Sequence, residues 1–387
     1  MKKVYLDYAA TTPLDSEIKK AMLPYMDKEF GNASSLHSFG RMAKEAIEKA
    51  RQQVAVFLNC RPDEIIFCGS ATEADNLAIL GAVKIAQKKG LKPHIITTAI
   101  EHSAVLEPFG QLEKEGVEVS YLSVGPEGIV RVGDIEKVLK PNTVLVSVMY
   151  ANNEIGTIQP IAEIGTLLKK QSQKIIFHTD AVQAANYLGC DVQKLQVDLL
   201  TLSGHKIYGP KGAGVLFIRK GIAIEPMIYG GHQENGYRSG TENVAGVVGL
   251  GEAVGQIQKT KNEIQNIKRL RDELISNILQ NISKTSLNGS REQRLPNNAN
   301  ISFAGAEGES ILMALDQEGI AVSTGSACAS GSLEPSHVLM ALGLSPEKAH
   351  GSVRFTLGKY TTEQEIAYVL KVLPKVIERL RGISPVK

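Results

Sequence analysis

The sequence lacks any dominant charge: 43 Lys and Arg stand against 41 Asp and Glu, a net +2. No general field draws in nucleic acid or acidic membrane, so small molecules or proteins are the expected partners, with no direct nucleic acid contact. Long apolar runs are missing too. None approaches the roughly 20 residues that a membrane helix needs. Met1-Lys2-Lys3-Val4-Tyr5-Leu6-Asp7 meets a charge before an apolar signal segment can form, which predicts a cytoplasmic protein without a membrane. Cysteines are few and scattered. Cys60, Cys68, Cys190 and Cys328 form no C-x-x-C pair and no Cys/His cluster at zinc spacing, which argues against a disulfide framework and against a metal.

What is present is length and apolar content. At 387 residues with 43% hydrophobic side chains, the chain can build one large and one smaller domain. From about residue 64 to 220, short β-rich runs alternate with helical stretches. Glu64-Ile65-Ile66-Phe67, His94-Ile95-Ile96-Thr97, Thr143 to Val148 and Lys174-Ile175-Ile176-Phe177-His178 read as buried strands of a mostly parallel sheet. A helix between the first two carries Ala74, Leu77, Ala78 and Ile85 on one face. This pattern predicts an open α/β sheet with ligands beyond the carboxyl ends of its strands.

Near residue 255 a long polar helix with Ile264, Ile267, Leu270, Leu274 and Ile278 marks the passage into a second, α+β domain. The expected division is a large domain over 14–258 and a small one from 1–13 and 259–387. Asn300-Ile301-Ser302-Phe303 reads as another strand, and Pro374 should kink a closing helix that begins near Thr362. The one compositionally odd stretch is a loop of small residues within about 323–334, expected to be mobile.

Four places at strand ends carry candidate chemistry. Val197 to Leu202 is an apolar strand that opens into Ser203-Gly204-His205-Lys206, and a lysine there can form a Schiff base with an aldehyde. Taken alone, Lys206 reads as a solvated surface residue; the company it keeps at the other strand ends gives it the chemical reading. Asp180 follows the run Ile175 to Thr179, one helix–strand unit earlier, where a carboxylate can hold a pyridinium nitrogen protonated or simply cap a helix. Gly69-Ser70-Ala71-Thr72-Glu73 lies between strand and helix, where free N–H groups favour a phosphate, or where Ser70 is only a cap. Glu101-His102 offers an imidazole that could stack on a ring, move protons or serve structure alone.

Together these residues resemble the cysteine desulfurases of the aminotransferase class V group, within the fold-type I pyridoxal-phosphate enzymes. The resemblance spans nearly the whole chain and rests on Tyr5-Leu6-Asp7-Tyr8-Ala9-Ala10-Thr11-Thr12, Asn152-Asn153-Glu154-Ile155-Gly156, His178-Thr179-Asp180-Ala181-Val182-Gln183, Ser203-Gly204-His205-Lys206, Arg238-Ser239-Gly240-Thr241 and Ser326-Ala327-Cys328-Ala329 through His337. It implies that Lys206 holds pyridoxal 5'-phosphate covalently, with Asp180 on the ring nitrogen and Gln183 on the phenolic oxygen. His102 would stack on the ring. Thr72 with the Ala71 backbone, Ser203 and His205 would hold the phosphate, joined by Thr241 from a second subunit of a homodimer. Asn153 and Arg354 would contact the amino acid, Arg354 gripping its carboxylate by two parallel hydrogen bonds.

The resemblance further implies that Cys328 receives sulfur from L-cysteine as a persulfide and passes it to an acceptor protein such as an iron–sulfur scaffold. Burial is the expected state of the other three cysteines. Thr324 stands where many family members have serine, a harmless change. The chain ends five residues beyond Gly382, short of the extended tail with which some members dock a scaffold, which leaves that docking route open and catalysis unaffected. A selenocysteine lyase or an aminotransferase is the rival on the same fold, and an aminotransferase would not need Cys328. A nucleotide-binding switch fails because Pro210 stands at the lysine position of a phosphate loop running from Gly204 to Gly212. A catalytically dead paralogue is disfavoured because every chemical position is filled.

Overall fold

Runs of aliphatic and β-branched residues bounded by polar turns become strands, because such side chains fit a pleated surface covered on both faces. The structure is a computed structural model and describes residues 3–257, 261–324 and 334–383. A short strand, β1 (Val4–Tyr5), is followed by β2 (Ile65–Cys68), β3 (His94–Thr98), β4 (Glu118–Leu122), β5 (Thr143–Ser147), β6 (Ile176–Asp180), β7 (Leu199–Ser203) and β8 (Gly214–Ile218). The last seven form one sheet in the order β2-β8-β7-β6-β5-β3-β4. From β7 to β4 every pairing is parallel, whereas β8 runs antiparallel to both β7 and β2. The expected mostly parallel α/β sheet is therefore present.

This topology decides where the site lies. Two successive antiparallel pairings turn β2 back to the direction of the central strands, so β2, β3, β5, β6 and β7 all end on one edge. The sheet is covered in part by the helix Ala71–Lys88, which begins directly after β2 with Ser70 as its cap. That helix buries Ala74, Leu77, Ala78, Ile79, Ala82, Val83 and Ala86, and Ile85 is only half-buried. Its inner face is wider than a single stripe because the helix packs against both the sheet and the neighbouring helix Ser103–Lys114.

A second core forms in the C-terminal part. The helix Lys261–Asn281 turns Ile267, Leu270, Leu274 and Ile278 inward, and Ile264 remains half-buried. Strands β9 (Thr285–Leu287), β10 (Asn298–Phe303) and β12 (Ser352–Thr356) form an antiparallel sheet with β10 in the middle, and β11 (Ile320–Ala321) pairs in parallel with β1. Val4 and Leu6 therefore pack with Leu270, Ile301, Phe355 and Leu373, far from them in sequence. Truncating such a fully buried leucine to alanine costs about 2–5 kcal/mol. The closing helix Glu363–Ile383 continues across Pro374. Among the described residues no helix is long and apolar enough to cross a membrane.

Candidate functional site

Polar side chains gather where the parallel strands end. Asp180 closes β6 beside Thr201 of β7, and two residues further β7 ends at Ser203, which leads into the turn Gly204–Lys206. Asp180 is 8% exposed. Its Oδ1 accepts a hydrogen bond from Val182 N at 2.8 Å, so it caps the next turn as well as facing the site. Burial pushes its carboxyl up to about 6; Asp75 raises it further and His102 opposes.

Lys206 is held by the N-terminal segment. Its Nζ donates to the carbonyls of Ala9 at 2.6 Å and Ala10 at 2.7 Å, and Gln183 Nε2 donates to the same Ala9 carbonyl at 3.0 Å. Ala9 is fixed in turn by its N–H, which donates to Thr356 Oγ1 at 2.9 Å. Thr12 Oγ1 donates to His205 O and accepts from Tyr208 N at 2.8 Å. Tyr208 sits at φ 64°, a left-handed conformation that this Thr12 clamp holds in place. His205 Nδ1 lies 3.1 Å from Thr11 Oγ1. Burial, helped by the charges of Lys206 and Lys211, pushes the His205 imidazole down to about 4, so it is neutral at pH 7.

Backbone shape brings the loop after β2 to the same edge. Gly214 of β8 pairs with both Cys68 and Ser203, and a Cβ on it would lie 2.6 Å from Ser70 C and 3.0 Å from Ala71 N. Only glycine lets that turn come so close. Ser70 Oγ accepts from Glu73 N, Glu73 accepts from Gly69 N at 2.9 Å, and Arg238 Nε donates to Glu73 at 2.8 Å. The helix start opens on a cleft lined by Ser70, Thr72, Glu73, Tyr237 and Arg238. Thr72 is exposed, as is Thr241 in the segment that precedes the helix Val244–Ile257.

On the other side, His102 follows β3 and its Nδ1 accepts from Ala104 N at 3.0 Å, which leaves the proton of the neutral ring on Nε2. Beside it Glu101 is fully buried and accepts from Thr98 Oγ1 at 2.7 Å and Met149 N at 3.0 Å; burial still pushes its carboxyl up to about 8. Arg354, on β12, donates from Nη1 to the Asn153 carbonyl at 2.8 Å and from Nη2 to Asp7 at 2.9 Å. Its Nε is buried and has no hydrogen-bond partner among the described residues. A buried donor left open is what an arriving carboxylate would satisfy. Glu154, next to Asn153, accepts from Ser336 Oγ, and burial pushes it up to about 7.

The expected positions Asp180, Gln183, Ser203, His205 and Lys206 thus meet at one edge, with Ala71, Thr72, His102 and Asn153 on the neighbouring strand ends and Arg354 reaching in from the second core. An amine, a buried carboxylate and a helix N-terminus fit a phosphate-bearing pyridine aldehyde. Cys328 lies outside the described residues. Cys68 and Cys190 are buried, whereas Cys60 is only partly so. Burial pushes the Cys60 and Cys190 thiols up to about 12 and Cys68 well above its ordinary value, which keeps all three protonated at neutral pH. Among the described residues no cluster could hold a metal ion. Sequence reasoning missed Asp7 as the partner of Arg354, and also Glu154 and Asp75. Asp75 had a signal: it is the acid set among the apolar residues of the helix that follows β2.

The chain matches the family model of aminotransferase class-V over residues 4–369. It is 53% identical to the cysteine desulfurase IscS of Dictyoglomus turgidum, a match that covers 100% of this chain and 97% of that one. To the cysteine desulfurase IscS of Methanosarcina thermophila it is 49% identical, over 99% and 94% of the two chains. Among solved structures it is similar to a NifS-like protein, with a TM-score of 0.91 and 37% identity over 99% of this chain and 100% of that one. It is also similar to SspA in complex with cysteine, with a TM-score of 0.81 and 37% identity over 93% and 100% of the chains.

Proposed function

From the premise that the chain belongs to the aminotransferase class-V family, and within it is a cysteine desulfurase, we propose that Lys206, Arg354 and Cys328 divide the work of taking sulfur from L-cysteine. The observation that carries this reading is the meeting of Asp180 and Lys206 at the ends of two adjacent parallel strands. The family depends on pyridoxal phosphate. We assign its retention to Lys206, with Asp180 on the ring nitrogen, Gln183 on the phenolic oxygen and His102 over the ring. The Ala71 backbone, Thr72, Ser203 and His205 would hold the phosphate, and Thr241 of a second copy would complete it. The active species would then be a homodimer. When bound, the cofactor supplies an electron sink for the pair left on the substrate's α-carbon.

The chain's own groups do the rest. Arg354 binds the substrate carboxylate through its open Nε, while Asp7 and the Asn153 carbonyl keep the guanidinium oriented. Asn153 contacts the same amino acid. Lys206 Nζ, steered by the Ala9 and Ala10 carbonyls, takes the α-proton. Cys328 thiolate then takes the sulfur: an S–S bond forms as the C–S bond breaks, and that bond's electron pair stays with the carbon that becomes the methyl of L-alanine. Support for Cys328 comes from the three other thiols, which burial holds protonated.

The persulfide would pass to an acceptor thiol on a sulfur-accepting protein, such as an iron–sulfur scaffold, in the cytoplasm. We also read the chain as a large cofactor-binding unit over 14–258 and a smaller unit from 1–13 and 259–387 that brings Arg354 and the cysteine. Mass spectrometry of the protein after incubation with L-cysteine tests the assignment. One added sulfur atom on the peptide that contains Cys328 is the expected result, and sulfur on another cysteine would refute it.

A further inference from the structure

Asp75 lies on the second turn of the helix Ala71–Lys88 with no measurable exposure, and neither of its carboxylate oxygens has a hydrogen-bond partner among the described residues. A buried carboxylate without donors is expensive, so its place needs a cause. The group that faces it is His178 of β6, whose Nε2 is 3.5 Å from Asp75 Oδ1 and equally buried. The ring is fixed by hydroxyls on both neighbouring strands: Nδ1 lies 2.8 Å from Ser147 Oγ of β5, and Nε2 lies 3.2 Å from Thr201 Oγ1 of β7.

His178 precedes Asp180 by two residues on the same strand, so both side chains point to the same face of the sheet. Asp75 looks onto that face from the covering helix. The ionisable groups around Asp180 include Asp75 from the helix, His178 from its own strand, Glu101 and His102 from the end of β3, and Lys206 from the turn after β7.

We propose that Asp75 and His178 are positioning residues for Asp180, a buried acid and a buried imidazole facing each other beside it that together set how readily Asp180 presents a carboxylate to a ring nitrogen. The proposal rests on the reading of Asp180 as the partner of that nitrogen. Asp75 repels a second negative charge, whereas His178 draws it on, and the two act on one carboxyl through a low-dielectric interior. Simple structural roles for the two residues would not give effects of opposite sign.

The test uses the cofactor-free protein, with aspartate carboxyl carbons labelled by carbon-13 and the Asp180 signal assigned by its loss in Asp180→Asn. From a midpoint of about 6, Asp75→Asn should move the Asp180 titration to lower pH and His178→Gln to higher pH. Asp75→Glu keeps the charge and should leave the midpoint near that of the unaltered protein. Melting curves show which variants are folded, and His178→Gln with Asp75→Glu decide the matter even if Asp75→Asn does not fold. In the loaded enzyme the acid limb of kcat/KM should move in the same two directions. Shifts of the same sign, or none in folded variants, would overturn the proposal. Should Asp180→Asn retain full turnover when loaded, the ring-nitrogen reading fails instead, and the carbon-13 titrations still judge the pair.

Discussion

Arg354 donates from Nη2 to Asp7 at 2.9 Å, joining the last strand of the second core to the segment that crosses toward Lys206. The same guanidinium holds the Asn153 carbonyl, so three distant stretches of chain orient one fork of donors. Arg354→Lys keeps a charge but loses the planar fork and the open Nε. We expect kcat/KM for L-cysteine to fall on the order of 100-fold, mostly through KM, because losing a charge-assisted hydrogen bond to the substrate costs about 1.5–3 kcal/mol. Asp7→Asn should give a smaller loss with the same sign. Steady-state kinetics on both variants check this.

Lys206 predicts a chemical label. Borohydride treatment of the loaded protein should fix the cofactor to the peptide containing Lys206, and Lys206→Ala should abolish turnover. In that variant solvent deuterium should not enter the α-position of recovered cysteine. Label on a different lysine, found by peptide mapping, would remove Lys206 from its assigned role.

Cys328→Ser separates the two halves of the reaction. The hydroxyl has a similar size but is almost wholly protonated at neutral pH, whereas a thiol is partly ionised. The variant should bind cofactor as the unaltered protein does and exchange the α-proton of L-cysteine with solvent. Alanine formation should drop at least about a thousandfold, the scale expected when a covalent nucleophile is lost. Near-normal alanine production would exclude Cys328 as the sulfur acceptor.

Thr241 is exposed on its own chain, and the proposed role at a neighbour's phosphate can be tested there. Thr241→Ala should weaken cofactor retention about tenfold, the cost of one hydrogen bond to a charged group. Mixed with Lys206→Ala, it should form hybrid dimers in which one site keeps both residues. Recovery of activity on mixing measures the sharing, and no recovery under conditions of proven subunit exchange counts against it.

Glu101 predicts a pH effect on stability. Its carboxyl is pushed up to about 8 in the fold from an ordinary 4.5, so between those values the native chain holds a proton that the unfolded chain has released. Its contribution to stability is then full at low pH and declines as pH rises toward about 8. Glu101→Gln should flatten that slope and melt a few degrees higher than the unaltered protein at pH 9. Melting curves from pH 5 to 9 provide the comparison.

Much of this architecture is written locally. The strands that become β2, β3, β5, β6 and β7 stand out as short β-rich runs, and the residues at their ends form the candidate site. β4 is harder to see because four of its five positions remain partly or fully exposed, and Gly214 at the head of β8 carries no apolar signal. The antiparallel course of β8 depends on pairing rather than composition. Contacts such as Lys206 with Ala9, Arg354 with Asp7 and Asp75 with His178 join residues far apart in sequence, and no periodicity announces them. The resemblance could name Lys206 and Arg354, but not the groups that hold them.

The grip of Ala9 and Ala10 on Lys206 also dictates an order of assembly. Ala9 is anchored by Thr356, which belongs to β12, the last of the described strands in chain order. A growing polypeptide that already includes Lys206 still lacks the piece that steadies the carbonyls around its amine. Because chains emerge amino end first, the seven-stranded sheet can form while that amine is only loosely held. The lysine's surroundings are therefore completed only after Thr356 has been made, when it meets Ala9.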